Sequence, residues 1–259
     1  MSNPVLYQLQ DGIALVRLNQ PETRNAMTKE MGIALLESFE RATQEAQAVV
    51  ILGSEKAFCA GADLKNSRMD NIGPDLDMGE NLENIFNPLL LKMRQSPIPI
   101  VTGISGASAG IGCSVSLMGD IIVAGESAFF MQAFCKVGLV PDGGAAYILA
   151  KSVGRIKAME LMLLGDRYPA TQAYKDGLIT QLVEDDKVDS TALEYASRLA
   201  DGPGIALKMI RQAAWRSLDA DFETQLLTDR ENQKIAGGTA DFAEGVAAFR
   251  ERRKANFKS

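Results

Sequence analysis

The spacing of apolar residues along the chain alternates between two periods. Residues 5–9 and 12–18 read as short strands around Asp11-Gly12, a hairpin signal. Leu18-Asn19-Gln20-Pro21 breaks the pattern. Thr28 then stands as an N-cap, and Met31, Leu35, Phe39 and Ala42 recur at helical spacing. This strand–strand–helix order returns. Ala48–Leu52 and a short segment at Phe58 precede a turn at 60–64. Ile98–Ile104 leads to a helix opening near Gly110. Ile121–Ala124 and Ala128–Met131 lead to another turn and helix. A chain of such units predicts an α/β fold, a right-handed spiral of parallel strands with helices outside. Leu82, Ile85, Phe86, Leu89, Leu90 and Met93 mark the core face of a helix that ends before Ser96-Pro97. From about residue 151 the pattern is helical. Ala158, Leu161 and Met162 mark one helix. Pro203 opens another, with Ala206, Met209, Ile210, Ala213 and Ala214 expected inside. The last begins near Asp241 with a stripe of Phe242, Val246 and Phe249.

Two connections carry almost no side chain. Ala60-Gly61-Ala62-Asp63 follows the buried-looking run Ala48–Leu52, and Gly103 to Ser114 follows Ile98–Val101. Small residues leave the backbone N–H groups unshielded. Such turns either connect strand to helix and do nothing else, or aim two donors at one point, as an oxyanion hole requires.

Composition narrows the chemistry. The chain has 259 residues, enough for one large domain or one and a half, and no histidine. Ser-His-Asp and Cys-His nucleophile systems and His-ligated zinc are therefore excluded, and acid–base work falls to carboxylates, Lys, Tyr, Cys or water. Cys59, Cys113 and Cys135 are odd in number, without metal-like spacing, and read as small buried hydrophobes in a reduced, cytoplasmic setting. The net charge of −6 argues against a nucleic-acid partner. No apolar run approaches the roughly 18 residues of a membrane span, and the N-terminal residues lack the pattern of a secretion signal.

Ala57-Phe58-Cys59-Ala60-Gly61-Ala62-Asp63-Leu64, the glycine-rich helix start at 106–114 and Asp120-Ile121-Ile122-Val123-Ala124 together resemble the enoyl-CoA hydratase/isomerase (crotonase) superfamily. Leu18-Asn19-Gln20-Pro21, Asn25-Ala26, Gly138-Leu139-Val140-Pro141 and the end from Glu244-Gly245 to Phe257 extend the likeness over nearly the whole chain, in order. The resemblance implies a spiral acyl-CoA-binding core over 1–200 and a helical C-terminal region over 201–259 that assembles a homotrimer or a dimer of trimers. It implies an acyl-CoA thioester as substrate, with coenzyme A part of that substrate and neither a separate cofactor nor a metal.

By motif position, the oxyanion donors are the N–H groups of Ala62 and Ile111, with the isoleucine side chain narrowing the pocket and Gly110 and Gly112 keeping the approach open. Coenzyme A and substrate contacts fall at Arg24, Ala60, Gly61, Asp63, Leu64, Lys65, Gly110, Gly112, Phe134 and Arg252. Arg24 and Lys65 read equally as ordinary surface charge, and the basic run ending at Lys254 as a solvated helix end. Residues 65–80 read either as a surface loop or as a lid carrying Met69 and Met78. The two glutamates by which hydratases activate water fall at Ser114 and Phe134, and neither can act as a base. Asp142, in Pro141-Asp142-Gly143-Gly144, resembles the single base of the isomerases; on the residues alone it reads as a turn or N-cap residue. The expected reaction is the shift of a carbon–carbon double bond in an enoyl-CoA. The alternatives are hydration with acids from elsewhere, such as Asp77 or Glu80, and a non-catalytic CoA- or RNA-binding relative.

Overall fold

The computed structural model describes residues 3–63, 73 and 75–257. Strands β1 (Val5–Gln10) and β2 (Ile13–Leu18) form the expected hairpin, and Thr28 caps α1 (Lys29–Glu45) by accepting from the Met31 N–H. Then follow β3 (Ala48–Leu52), β4 (Ala57–Cys59), α2 (Asn87–Arg94), β5 (Ile100–Ile104), β6 (Ala107–Ala109), α3 (Ile111–Ser116), β7 (Ile121–Gly125) and β8 (Phe129–Met131). The rest is α4 (Ala145–Ser152), α5 (Gly154–Leu164), β9 (Tyr168–Pro169), α6 (Ala170–Lys175), β10 (Gln181–Val183), α7 (Val188–Ala200), α8 (Gly204–Ser217), α9 (Phe222–Ala236) and α10 (Ala240–Glu251). The turn before α2, Leu82–Phe86, is a π-helix.

The sheets show how the recurrent order becomes a spiral. One sheet runs β1-β2-β3-β5-β7-β10, the other β4-β6-β8-β9. The first strand of each repeated unit therefore joins one sheet and the second strand the other, each parallel to the strand of the preceding unit. β3 is buried at every position because both faces are covered. Val49 and Ile51 face the core under α1, whereas Ala48, Val50 and Leu52 pack on Ala192 and Ala196 of α7. β6, in the polar, glycine-interrupted stretch after Ile104, carries no strand signal of its own; β4 and β8 on either side make it a strand.

Two expectations fail on burial. Cys59 and Cys113 are buried, but Cys135 is exposed. On α8 the only buried residue is Arg211, and Ile210 is 64% exposed. On α10 Phe249 is 86% exposed and Phe242 also faces solvent. The apolar stripes are real, but among the described residues little covers them.

α8 is held by Arg211 instead. Its guanidinium donates to Asp120 Oδ2 (2.7 Å) and to the carbonyls of Met93 (2.5 Å), Arg94 (2.7 Å) and Ser96 (3.1 Å), closing the C-terminal end of α2. Asp120 also accepts from the Ile100 N–H (2.8 Å), and its burial outweighs the pull of Arg211 and lifts its carboxyl above the usual range. Replacing Arg211 by Met should leave the buried Asp120 carboxylate without its counter-charge and the Arg94 and Ser96 carbonyls without this donor, and cost about 3–5 kcal/mol. A lowered denaturation midpoint checks this, with Asp120→Asn recovering part of the loss in the double variant.

Candidate active site

The first bare turn is fixed by the loop before α1. Arg24 and Asn25 both adopt left-handed backbone, with φ of 55° and 53°. The buried Asn25 carboxamide donates to the carbonyls of Ala57 (3.0 Å) and Phe58 (3.1 Å) and accepts from the Gln20 N–H (2.8 Å), pegging the loop to β4. The Ala60 N–H donates to the Arg24 carbonyl (3.0 Å). Met27 donates to the Gly61 carbonyl (2.7 Å) and accepts from the Asp63 N–H (3.3 Å), one step of parallel pairing. In that pattern the N–H of the intervening residue, Ala62, is directed to the opposite edge.

That edge faces the start of α3. A β-carbon on Gly61 would lie 3.3 Å from the Ala109 carbonyl oxygen, and one on Gly110 would lie 3.6 Å from the Gly61 α-carbon. The backbones touch where Ala62 and Ile111 begin. Gly110 has φ 52° and ψ −129°, a conformation reserved for glycine. Its N–H donates to the Met131 carbonyl (2.9 Å), and the Ile111 N–H, first in the helix, has no intrahelical acceptor. Gly112 does not open the approach as expected. Its α-carbon faces Cys59, and a β-carbon there would lie 2.5 Å from Cys59 Cβ and Sγ, so this glycine lets α3 close onto β4. Burial pushes the thiols of Cys59 and Cys113 up to about 12, which removes both as thiolate nucleophiles near neutral pH.

Asp142 begins a tight turn. The Ala145 N–H donates to its carbonyl (3.0 Å), and Gly143 and Gly144 have φ of 56° and 74°, a type I′ turn. The N-cap of α4 is Gly144, with no side-chain cap, so the Asp142 carboxylate is not a capping group. Its Oδ1 is buried without a hydrogen-bond partner, and burial, the sole cause, pushes the carboxyl up to about 6. The turn is seated on α3: Ser114 Oγ donates to the Asp142 carbonyl (3.2 Å), and a β-carbon on Gly143 would lie 2.6 Å from Ile111 Cδ1. The Ile111 side chain, expected to narrow the pocket, packs against this turn. The half-buried Phe134 follows β8, and its ring lies against Gly110, with Cζ 3.6 Å from a β-carbon built there.

The structure thus brings together Ala62, Ile111, Asp142, Gly61, Gly110 and Phe134, with Ala60, Arg24 and Asp63 on the rim. Leu64, Lys65 and most of the expected lid lie outside the described residues. Arg252 is exposed at the left-handed end of α10, and no hydrogen bond among the described residues links it to the two turns. Asp77 is exposed and accepts from the Gly79 N–H (2.7 Å); Glu80 is exposed. Gln132, buried with neither end of its carboxamide paired, had no sequence signal. Clefts of about 330 and 500 Å³ flank α8 near Tyr147 and Trp215 and near Arg94 and Asp219; neither includes the two turns. Among the described residues no cluster of Cys, Asp and Glu is placed to hold a metal ion, and no helix is long and apolar enough to cross a membrane.

The two-sheet spiral, with its two touching turns and the desolvated carboxylate beside them, has counterparts among known proteins. Residues 8–259 match the family described as Enoyl-CoA hydratase/isomerase, and the chain belongs to it. It is 36% identical over 255 residues to the 1,2-epoxyphenylacetyl-CoA isomerase of Escherichia coli K12, covering 98% of this chain and 97% of that protein. It is 30% identical over 256 residues to the 2,3-dehydroadipyl-CoA hydratase of the same organism, covering 98% of each. The crystal structure of an enoyl-CoA hydratase from Mycobacterium smegmatis superposes with a TM-score of 0.91 at 27% identity over the full length of both chains.

The unpaired carboxylate has a thermodynamic signature. Because the folded protein holds the Asp142 proton up to about pH 6, against an ordinary 3.8, stability contributed by this group is fully present below pH 4 and lost as pH rises through 6. Asp142→Asn should therefore raise stability at pH 7–8 by about 1–2 kcal/mol, a figure discounted for partial exposure. Melting curves should show the variant higher at pH 7.5 and level with the native protein at pH 4.

Proposed function

We propose that the protein is an enoyl-CoA isomerase that shifts a carbon–carbon double bond through a thioester enolate, with Asp142 as the single base. The observation that carries this reading is the buried, unpartnered Oδ1 of Asp142, on a turn clamped to the helix that begins at Ile111. The thioester oxygen accepts from the Ala62 and Ile111 N–H groups. The carboxylate removes a proton from the carbon at one end of the allylic system, the electron pair moves onto that oxygen, and the same proton returns at the other end. One carboxylate suffices, no water is consumed, and the Phe134 ring lines the position where a hydratase holds its second glutamate. The isomerase names of the Escherichia coli relative and of a trans-2-decenoyl-[acyl-carrier-protein] isomerase of Streptococcus mutans, 28% identical, support this direction.

Hydration is the second reading, favoured by the relatives named as hydratases. It needs carboxylates other than those at the site, and Asp77 and Glu80 are solvent-facing. Arg24, Ala60 and Asp63 form the rim on which coenzyme A would lie. The uncovered apolar side chains of α9 and α10, Phe222, Leu227, Phe242 and Phe249, suit assembly into a trimer.

Incubation with β,γ- and α,β-enoyl-CoA separates the readings, since interconversion of the two is expected and accumulation of a 3-hydroxyacyl product would favour hydration. Asp142→Asn should lower isomerisation and deuterium exchange from solvent by about 10²–10⁴ while leaving CoA-thioester binding nearly unchanged. The native kcat/KM should fall as pH drops through about 6, where the base becomes protonated.

Ala62→Pro offers an independent check, because the Ala62 N–H takes no part in the pairing with Met27. Loss of that donor should reduce turnover about 10²–10³-fold, with far-UV circular dichroism confirming a folded chain. Native turnover in the folded variant would remove Ala62 from the oxyanion site.

A further inference from the structure

Ser114 occupies the position where a hydratase carries its first catalytic glutamate, yet the serine is neither empty space nor solvent-facing. It is fully buried, and its hydroxyl donates to the Asp142 carbonyl at 3.2 Å. Three residues earlier on the same helix face, the Ile111 side chain meets Gly143, the next residue of the turn. A β-carbon on Gly143 would also lie 3.0 Å from Ser114 Cβ and 3.1 Å from its Oγ. The turn is thus gripped at two consecutive residues by two side chains of α3. Neither grip involves the carboxylate, whose Oδ1 stays unpaired.

We propose that Ser114 is a positioning residue: with Ile111 it fixes the Asp142 turn to α3, so that the base and the Ile111 N–H move as one rigid piece. This rests on the reading of Asp142 as the base. The physical need is clear. A carboxylate that served as a hydrogen-bond acceptor for its neighbours would be held in place but made less basic; holding the backbone carbonyl fixes the main chain from which the side chain hangs and leaves the buried Oδ1 for the substrate. Type I′ turns built on two glycines are intrinsically soft, so the orientation has to be imposed from outside. Displacement of a reacting group by about 1 Å can cost on the order of 10²-fold in rate. The same contacts exclude a glutamate at 114, since its longer side chain would have to displace Gly143. The Ser114 position and the Asp142 turn are therefore one substitution in physical terms, an isomerase geometry that does not revert to the two-glutamate arrangement by exchanging a single residue.

The test is Ser114→Ala beside Ser114→Cys, which keeps a donor of similar size, assayed in the full-length protein with a β,γ-enoyl-CoA. Ser114→Ala should lower kcat about 10–100-fold with KM within about twofold, because the CoA contacts and the backbone donors are untouched. Its turn should also loosen and admit water to the carboxylate, so the acid limb of kcat/KM should move below the native value near pH 6. Ser114→Cys should recover part of kcat and of the acid limb. Native kcat and acid limb in Ser114→Ala would overturn the proposal. So would a fall in kcat with the acid limb unmoved and no recovery in Ser114→Cys, which is the mark of a merely packed residue. If Ser114→Ala does not fold, Ser114→Cys alone decides, through a shifted acid limb or an unshifted one. Asp142→Asn run in parallel distinguishes the two levels. An active Asp142→Asn removes the base reading itself, whereas an inactive Asp142→Asn with a native Ser114→Ala removes only the role of Ser114.

Discussion

The contact between the Gly61 and Gly110 backbones is the constraint on which the site depends. Two main chains can approach this closely only where no side chain stands between them, and the approach brings the following residues, Ala62 and Ile111, to one place. Much of the surrounding structure serves that contact. Asn25 pegs the preceding loop to β4, Met27 pairs across the turn, Met131 holds the Gly110 N–H, and Cys59 fits against Gly112. None of these residues carries reactive chemistry. Their work is to make this backbone contact rigid in advance, which is what the proposed stabilisation of a developing charge requires.

The carboxylate proposed as the base is arranged on the opposite principle. The donors are well supported, but the carboxylate of Asp142 is left without partners and partly desolvated, an arrangement that weakens the fold. Stability given up at this one atom is what keeps the group basic near neutral pH. The chain has no histidine, so no side chain with an ordinary pKa near neutrality is present to take the proposed role.

The spiral was legible in the sequence because its strands and helices are bounded by turns and its buried strand β3 is a continuous apolar run. The two bare turns were legible for a related reason, as glycine and alanine cluster where backbones must meet. What could not be read is what lies across from a residue. Ile111 looked like a pocket wall and packs against Gly143; Gly112 looked like an opening and is instead the seat of Cys59. The stripe on α8 was read correctly as apolar and incorrectly as inward, because periodicity reports that a face is apolar and not whether its own chain covers it. β6 has no local propensity at all and exists through its neighbours.

Docking of α8 has a consequence for how the C-terminal layer responds to temperature. The only fully buried residue on that helix is a charged one, with half-buried Ala206, Met209, Ala213 and Trp215 around it. Detaching the layer would expose these apolar side chains together with the buried Arg211–Asp120 pair, and apolar and polar surface contribute to heat capacity with opposite signs. The attachment should therefore carry a smaller heat-capacity change than its apolar side chains alone would give, and a flatter temperature dependence than the purely apolar core beneath it.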